Sequence, residues 1–229
     1  MSLFVIGDTH LSLGVDKPMD IFKGWHDYVS RLEEMWNSVV GESDVTVIPG
    51  DISWAMNLSQ AKADFDFLNS LNGKKIIGKG NHDYWWPTMN KLNLFLKENA
   101  YDSISFLFNN SYLVEGYAVC GTRGWFYDAE SSDIEKVLAR EAGRLRRSIE
   151  SGMALGGEPV VFLHYPPVLE GKECDAILNV LNEYNIKRCY FGHLHSEKNQ
   201  KFRDFEHRGI RFSLISADYI DFCPQEVFV

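Results

Sequence analysis

The sequence predicts an α/β protein organised as a layered sandwich with mixed sheets. Short apolar runs, which indicate buried strands, alternate with segments of helical periodicity through the first half of the chain. The C-terminal part is rich in strand patterns that we expect to pair antiparallel. Strands alternating with helices and then a β-rich end are typical of sheets covered by helices in layers. Residues 1–229 contain no repeat, low-complexity tract or linker, so we expect a single domain.

The elements of the first half follow from the spacing of their apolar residues. Strands are expected at 3–6, 45–48 and 75–77, where short apolar runs lead into Gly-Asp or Gly-Asn. Helices are expected at 29–40 and 58–71, where apolar side chains recur at helical spacing. This alternation is typical of an α/β layer.

The second half of the chain predicts one long helix among strands. The helix is expected at 133–150, where apolar residues form one face. Strands are expected at 103–108, 112–120, 160–163, 189–191, 202–205, 210–215 and 227–229. We expect the turn Asn109-Asn110 to join the first two of these strands.

The composition is that of a globular protein, with 45% hydrophobic and 24% charged residues. The net charge of −9 repels polyanions, so general nucleic-acid binding is not expected. No apolar run approaches the roughly 18 residues of a membrane span, and the first residues indicate a strand rather than a signal peptide. We expect a soluble cytoplasmic protein with no membrane partner. The sequence predicts no oligomeric state.

The four cysteines lie far apart in the sequence, and no Cys-x-x-Cys pair indicates zinc or redox chemistry. Cys120, Cys174, Cys189 and Cys223 are therefore expected to be free, mostly buried thiols in a reducing cytoplasm.

Polar clusters follow five of the predicted strands. In open α/β sheets the carboxyl ends of the strands are where ligands bind. Five of the seven histidines of the chain lie in these clusters. The clustered residues are Asp8, His10, Asp51, Asn81, His82, Asp83, His164, His193 and His195. Imidazole and carboxylate groups, with an amide oxygen as a further donor, are typical ligands of first-row transition metals.

The spacing within two clusters supports a metal site. Asp8 and His10 are two residues apart, as are His193 and His195. In extended backbone such side chains point to the same side. Two such pairs at the ends of different strands can converge on one pocket.

The number of candidate ligands favours two ions over one. Seven of the clustered residues are candidate ligands, more than the roughly four to six that one ion takes. They are Asp8, His10, Asp51, Asn81, His164, His193 and His195. Two divalent cations bring four positive charges, and the two aspartates cancel only two of them. The remaining positive charge predicts a site for an anion, and phosphate is the natural occupant.

Five blocks of the sequence together resemble the calcineurin-like metallophosphoesterase superfamily. The blocks are Gly7-Asp8-Thr9-His10, Gly50-Asp51, Gly80-Asn81-His82-Asp83, His164 and Gly192-His193-Leu194-His195. They occur in family order between residues 7 and 195. The resemblance implies a four-layer α/β/β/α sandwich with a dinuclear metal centre between its two sheets.

The resemblance also implies a ligand scheme and a reaction. Asp8, His10 and His195 would bind one ion, Asn81, His164 and His193 would bind the other, and Asp51 would bridge them. Manganese, iron, zinc, nickel and cobalt all suit these ligands, so the identity of the metals stays open. A hydroxide between the ions would attack a phosphomonoester or phosphodiester of a small molecule.

Two residues beside the ligand Asn81 have expected roles in catalysis. By the resemblance, His82 contacts the phosphate together with Asn81 and can protonate the leaving oxygen. Asp83 either orients His82 or caps the following helix, and the sequence does not decide between the two. Serine/threonine phosphatases of the superfamily carry an acid and an arginine where this chain has Trp54 and Ala55. Protein phosphatase activity is therefore not expected.

Other polar and aromatic residues have competing interpretations. Arg123, set between glycines, either binds a phosphate oxygen or lies in a surface turn. We expect Trp54 and the aromatic run 84–86 to pack the sandwich edge rather than line a pocket. The three arginines Arg140, Arg144 and Arg147 are expected on a solvated helix face, and His26 and His207 outside the site.

Two other functions compete with a small-molecule phosphoesterase. A binding scaffold could keep the fold without activity, but scaffold members tend to lose ligands, and here the complete ligand set and His82 are present. A nuclease would need a basic, aromatic-laced groove that the acidic sequence does not indicate.

Overall fold

The computed structural model of the chain describes residues 1–125, 134–169, 171–195 and 204–227. In chain order its elements are β1 (Leu3–Val5), α1 (Tyr28–Val39), β2 (Val45–Ile48), α2 (Leu58–Ser70), β3 (Lys74–Ile77), α3 (Met89–Glu98), β4 (Ile104–Phe106), β5 (Tyr112–Val114), β6 (Tyr117–Thr122), α4 (Ile134–Ala154), β7 (Glu158–Leu163), β8 (Val168–Leu169), β9 (Lys172–Glu173), α5 (Asp175–Glu183), β10 (Arg188–Phe191), β11 (Asp204–His207), β12 (Ile210–Leu214) and β13 (Gln225–Glu226).

The strands form two large mixed sheets and one short hairpin. The first sheet has the order β13-β1-β2-β3-β4, with β1 to β4 parallel and β13 antiparallel at the edge. The second has the order β11-β12-β10-β7-β6-β5, with a parallel centre and antiparallel strands at both edges. Strands β8 and β9 pair only with each other among the described residues. The predicted mixed sheets are confirmed.

The apolar side chains of the strands divide between separate cores, which makes the sandwich four layers thick. Leu3 and Val5 of β1 lie in the core between the two sheets. Phe4 points to the opposite face and lies in the core beneath α1, α2 and α3. Helices α4 and α5 cover the outer face of the second sheet, where Leu145 and Leu178 are fully buried. The order helix, sheet, sheet, helix confirms the α/β/β/α sandwich.

Helix α1 illustrates how apolar spacing fixes an outer layer. Tyr28, Leu32 and Trp36 recur every four residues and are all buried, so one face of the helix is apolar. The indole Nε1 of Trp36 donates a hydrogen bond to the carbonyl oxygen of Asn72 at 3.0 Å. Burying one such side chain contributes about 1.5–3 kcal/mol. The helix is thereby anchored to the loop that precedes β3.

The middle of the chain differs from the sequence prediction. Strand β4 pairs with β3 in the first sheet, whereas β5 pairs with β6 in the second. The turn at Asn109-Asn110 therefore crosses between the sheets and does not form a hairpin. The hairpin lies at Glu115 and Gly116, whose φ angles of 49° and 86° are typical of a type I′ turn. The prediction of one continuous strand at 112–120 is wrong for this reason.

Two helices were not predicted, and both are short. In α3 only Leu92 and Phe95 are buried, which leaves a weak periodic signal. In α5 the buried residues fall in nearly consecutive positions within 177–181, a pattern shared with buried strands. The predicted antiparallel pairing near 204–214 is confirmed by β11 and β12. The predicted positions 133, 202–203 and 228–229 lie outside the described residues.

Two expectations from composition can be compared with the structure. The four cysteines are free, and three of them are buried, as expected. Within the part of the chain that the structure describes, no helix combines the length and the apolar character needed to cross a membrane.

Candidate metal centre

The polar residues that follow the strands converge where the two sheets face each other. The loops after β1, β2 and β3 bring residues from the first sheet, and the loops after β7 and β10 bring residues from the second. Two groups of donors result: Asp8, His10 and His195 form one, and Asp51, His164 and His193 form the other. Within each group the donor atoms lie within 4.8 Å of one another. The six residues are all among the predicted ligands.

The remaining predicted ligand, Asn81, lies with the second group. Its Oδ1 is 2.6 Å from Nε2 of His164. In the first group, Nε2 of His10 and Nε2 of His195 are 3.1 Å apart. The second group thus also contains an amide oxygen, and the first group contains two imidazole nitrogens close to each other.

Asp51, a member of the second group, also faces the first group. Its Oδ2 is 3.7 Å from Nε2 of His10 in the first group and 3.5 Å from Nε2 of His164 in the second. One carboxylate therefore faces donors of both groups, as a bridging ligand must.

Four of the predicted ligands have strained backbone. The φ angles are 55° at Asp8, 45° at His10, 51° at Asp51 and 72° at His193, in a region that residues other than glycine rarely adopt. Backbone hydrogen bonds hold these turns: the amide of Asp8 donates to Gly50 at 3.1 Å, and that of His10 to Asp51 at 3.0 Å. Such strain concentrates at functional sites, where the surrounding structure enforces it.

Two glycines allow the loops to approach this closely. A Cβ atom on Gly192 would collide with the carboxylate of Asp8, and one on Gly80 would collide with Asp51. The glycines that begin the third and fifth sequence motifs are therefore required by packing around the carboxylates.

The electrostatics of the site indicate missing positive charge. Burial, aided by Asp83 and Asp8 nearby, raises the pKa of Asp51 to about 9. Burial also raises the pKa of Asp8 to about 6, although His195 partly opposes it. Two carboxylates are thus held where the protein alone does not stabilise their charge. Divalent cations would supply that stabilisation.

The histidines also suit metal binding. Burial lowers the pKa of His10 and of His164 well below the ordinary range, so both imidazoles are neutral and have a lone pair to donate. Among the described residues, Nδ1 of each has no hydrogen-bond partner. Buried imidazole, carboxylate and amide donors at this spacing fit a pair of divalent transition-metal ions.

Two residues that the sequence analysis missed hold the first group in place. Asp218 Oδ1 lies 2.9 Å from His195 Nδ1, and the Ser216 hydroxyl donates to Asp8 Oδ2 at 2.8 Å. Burial tends to lower the pKa of His195, but the bond to Asp218 and the charge of Asp8 raise it overall. Such contacts orient metal-binding side chains. Both residues closely follow the predicted strand 210–215, a position shared with the other clusters.

Asp83 connects the loops of the second and third motifs. Its carboxylate accepts hydrogen bonds from the amides of Asp51 (2.9 Å), Ile52 (2.9 Å) and Gly80 (2.7 Å). The indole Nε1 of Trp85 donates to it at 2.9 Å. Asp83 meets neither of the two alternatives: no bond to His82 is among these contacts, and Nδ1 of His82 has no partner among the described residues. The following helix α3 has Thr88, not Asp83, as its N-cap. The contacts favour a positioning role for Asp83.

Asp83→Ala is expected to lower the free energy of unfolding by about 3 kcal/mol or more, because it leaves several buried N–H groups without an acceptor. Urea unfolding monitored by circular dichroism measures the effect. Asp102→Ala, at an exposed aspartate, is the control and should change stability by less than about 0.5 kcal/mol. An equal stability of the two variants would contradict the role of Asp83.

An aromatic cleft opens over the candidate metal centre. It has a volume of about 340 Å³, and its lining includes His82, Met19, Phe22, Trp25 and Trp54. The ring of Trp54 stacks on that of His10 with centroids 4.8 Å apart and planes at 19°. The expectation that Trp54 only packs the sandwich edge is therefore wrong.

The aromatic run after the third motif follows the expectation only in part, because Trp86 lines a second cavity, described below, as well as packing in the core. Trp85 and Trp86 are buried in the core beneath the first three helices. Tyr84 is exposed. His26 is also exposed, and His207 lies in β11 with Glu173 3.3 Å away, so neither belongs to the site.

Arg123 lies beside the metal centre and lines a second cavity. This cavity has a volume of about 360 Å³ and its cationic side chains are those of Lys79, Arg123, Arg140 and Arg144; we call it the basic cavity. Two of the three arginines expected on a solvated helix face, Arg140 and Arg144, therefore line this cavity. Arg147 stays at the surface, where its guanidinium lies 3.3 Å from Asn109 Oδ1.

The fold and the two candidate donor groups together are those expected of a metal-dependent phosphoesterase. A model of the calcineurin-like phosphoesterase family matches residues 1–197, and the chain belongs to that family. The roles of individual site residues remain predictions.

One curated protein matches part of the chain in sequence. An uncharacterised protein of Methanocaldococcus jannaschii is 32% identical over 88 residues, which cover 35% of this chain and 46% of that protein. The match thus spans less than half of the relative's length.

Three solved structures share the fold over nearly the whole chain. A phosphopantetheinyl hydrolase of Mycobacterium tuberculosis is 15% identical with a TM-score of 0.55, covering 99% of this chain and 95% of its own. A protein of Thermus thermophilus is 11% identical with a TM-score of 0.58, covering 98% and 97%. A protein of unknown function from Aquifex aeolicus is 16% identical with a TM-score of 0.51, covering 98% and 95%. At these identities the likeness concerns the fold alone.

Proposed function

We propose that the protein is a dinuclear-metal phosphohydrolase that cleaves phosphomonoesters or phosphodiesters of small molecules. The observation that carries this proposal is the pair of donor groups, with Asp51 facing both. Membership of the calcineurin-like phosphoesterase family supports the reaction class.

The side chains divide between metal binding and substrate contact. Asp8, His10 and His195 would hold one ion, Asn81, His164 and His193 the other, and Asp51 both. When bound, two such ions polarise phosphoryl oxygens and lower the pKa of water for attack on phosphorus. The two buried carboxylates cancel only half of the four positive charges, so the centre attracts an anion.

We assign His82 to contact with the substrate. Its backbone N–H donates to Asp51 Oδ1 at 2.8 Å, which fixes the loop independently of the ring. The ring lines the aromatic cleft, 4.4 Å from that of Trp54 between centroids. In this position the imidazole can contact a phosphate oxygen and give a proton to the leaving oxygen.

The surroundings favour small substrates. The aromatic cleft, with a volume of about 340 Å³, is of the size that holds a small molecule. The net charge of −9 disfavours polyanions away from the centre. The shared fold of a protein named phosphopantetheinyl hydrolase is consistent with hydrolysis of a phosphorylated compound. We place the reaction in the cytoplasm, on a substrate free in solution.

The test combines metal analysis with turnover on the purified chain. We expect about two metal ions per chain by mass spectrometry after purification without chelator. With added manganese we expect hydrolysis of p-nitrophenyl phosphate, bis-p-nitrophenyl phosphate or both, and the better substrate separates monoesterase from diesterase. Chelator-treated protein is the control and should be inactive until metal is returned. Absence of metal and turnover even after reconstitution would favour a binding scaffold instead.

A further inference from the structure

The basic cavity concentrates positive charge in an acidic protein. Four cationic side chains line it, and Glu141 is the carboxylate among its lining residues, which leaves a surplus of three positive charges. The chain as a whole carries −9. Glu141 is buried and already bound by Arg144 and by the hydroxyl of Thr122 at 2.6 Å. The cavity therefore attracts anions.

Among the residues that the structure describes, most of these cations have no carboxylate partner. Within the described ranges, no ion pair joins Lys79, Arg123 or Arg140 to a carboxylate. The Nε of Arg123 is buried without a hydrogen-bond partner in the same part of the chain. A guanidinium without a carboxylate partner can form charge-assisted hydrogen bonds to a bound oxyanion through its terminal N–H groups.

Aromatic rings position two of the guanidinium groups. That of Arg123 lies 4.7 Å from the ring centroid of Trp125, and that of Arg144 lies 5.2 Å from that of Phe108. A contact with an aromatic ring uses the flat face of a guanidinium and leaves its N–H groups available for hydrogen bonds, although one N–H group of Arg144 already binds Glu141. Such N–H groups match a phosphate group, with which arginine forms paired hydrogen bonds.

The basic cavity shares loops with the candidate metal centre. Lys79 is two residues before Asn81 on the loop after β3. The carbonyl oxygen of Arg123 accepts hydrogen bonds from the amides of His164 (3.2 Å) and Tyr165 (2.9 Å). Lys79 and Arg123 therefore lie next to residues of the second donor group, and Arg140 and Arg144 reach the same cavity from helix α4.

We propose that the basic cavity binds a second phosphate group of the substrate while the reacting phosphate lies at the metal centre. The substrate class is then a small bisphosphorylated molecule. This inference rests on the proposed function and narrows its substrate. A phosphate dianion matches the surplus of positive charge better than a singly charged carboxylate does.

The test compares alkanediol bisphosphates of increasing spacer length with the matching alkyl monophosphates. Phosphate release by the metal-loaded protein gives kcat/KM for each. We expect the best bisphosphate to exceed its monophosphate by about a hundredfold, since two or more charge-assisted hydrogen bonds are added. Arg140→Glu should reduce that ratio roughly tenfold or more, because it reverses one charge of the cavity. Arg140 is exposed, so folding should not suffer.

Arg146→Glu is the matched control on the same helix. Arg146 pairs with Glu183 at the surface and does not line the basic cavity, so the bisphosphate preference should persist. The inference would be overturned if no bisphosphate is preferred over its monophosphate, or if Arg140→Glu leaves that preference unchanged. In either case, hydrolysis of the monophosphates would still support the proposed function. If no ester is hydrolysed, the proposed function fails. Calorimetric binding of the bisphosphates to wild type and Arg140→Glu then decides the inference separately.

Discussion

The Asp51→Asn variant is expected to lose bound metal and activity together. Asp51 faces donors of both groups, at 3.7 Å from His10 and 3.5 Å from His164. The substitution removes one of the two buried carboxylate charges that would balance the cations. We expect a loss in kcat/KM of about a thousandfold, or roughly 4 kcal/mol of transition-state stabilisation. Metal analysis and p-nitrophenyl phosphate hydrolysis on the same preparation measure both effects.

The control for Asp51→Asn is Asp102→Asn, which removes an exposed carboxylate and should leave metal content and turnover unchanged. We expect the Asp51→Asn variant to fold, because the backbone hydrogen bonds of residue 51 to the neighbouring loops do not depend on the missing charge. Urea unfolding checks this. A folded Asp51→Asn variant with two metal ions and normal turnover would show that the ligand scheme is wrong.

His82→Ala has the second largest expected effect, and it should separate catalysis from metal binding. The His82 ring is in neither donor group, and alanine keeps the backbone N–H that binds Asp51. We therefore expect near-normal metal content and a fall in turnover of about a hundredfold or more, as for a lost general acid. The loss should be larger for phenyl phosphate than for p-nitrophenyl phosphate, because the poorer leaving group depends more on protonation.

His26→Ala is the matched histidine control. His26 is exposed and pairs with Asp27, and it belongs to neither donor group, so both metal content and turnover should stay normal. Loss of metal in His82→Ala would make His82 a structural residue. An equal fall in turnover on phenyl phosphate and p-nitrophenyl phosphate would exclude the general-acid role of His82. Contact with the phosphate would then be its remaining role.

The fold class and the converging ligands could be predicted because their signals are local. Each buried strand of the first sheet is a short apolar run, and the strand at 45–48 has the predicted bounds. The pairs Asp8/His10 and His193/His195 are visible in the sequence as a spacing of two residues. The extended backbone expected for them is wrong, because Asp8, His10 and His193 have positive φ angles, and His193 and His195 belong to different donor groups. Because the carboxyl ends of parallel strands meet at one edge of a sheet, the donors within each sheet are expected to lie together, whereas the convergence of the two sheets depends on packing between distant segments.

Other features depend on contacts between distant segments, so the sequence does not indicate them. The partner of His195 is Asp218, which is recognisable only once β12 is known to lie beside β10. The basic cavity forms because Arg140 and Arg144 of helix α4, which covers the second sheet, lie close to Lys79, which follows β3 of the first sheet. A helical arginine stripe looks the same in sequence whether it faces water or such a cavity.

The division of the proposed ligands between two sheets has a consequence for how the protein matures. The first sheet provides Asp8, His10, Asp51 and Asn81, all early in the chain, whereas the second provides its three histidines from His164 onward. His10 and His195 are 185 positions apart yet lie in contact. During synthesis, therefore, the nascent chain has no complete site until His195 has left the ribosome. If the proposed ligands bind metal, uptake would accordingly be a late step that is coupled to completion of the fold.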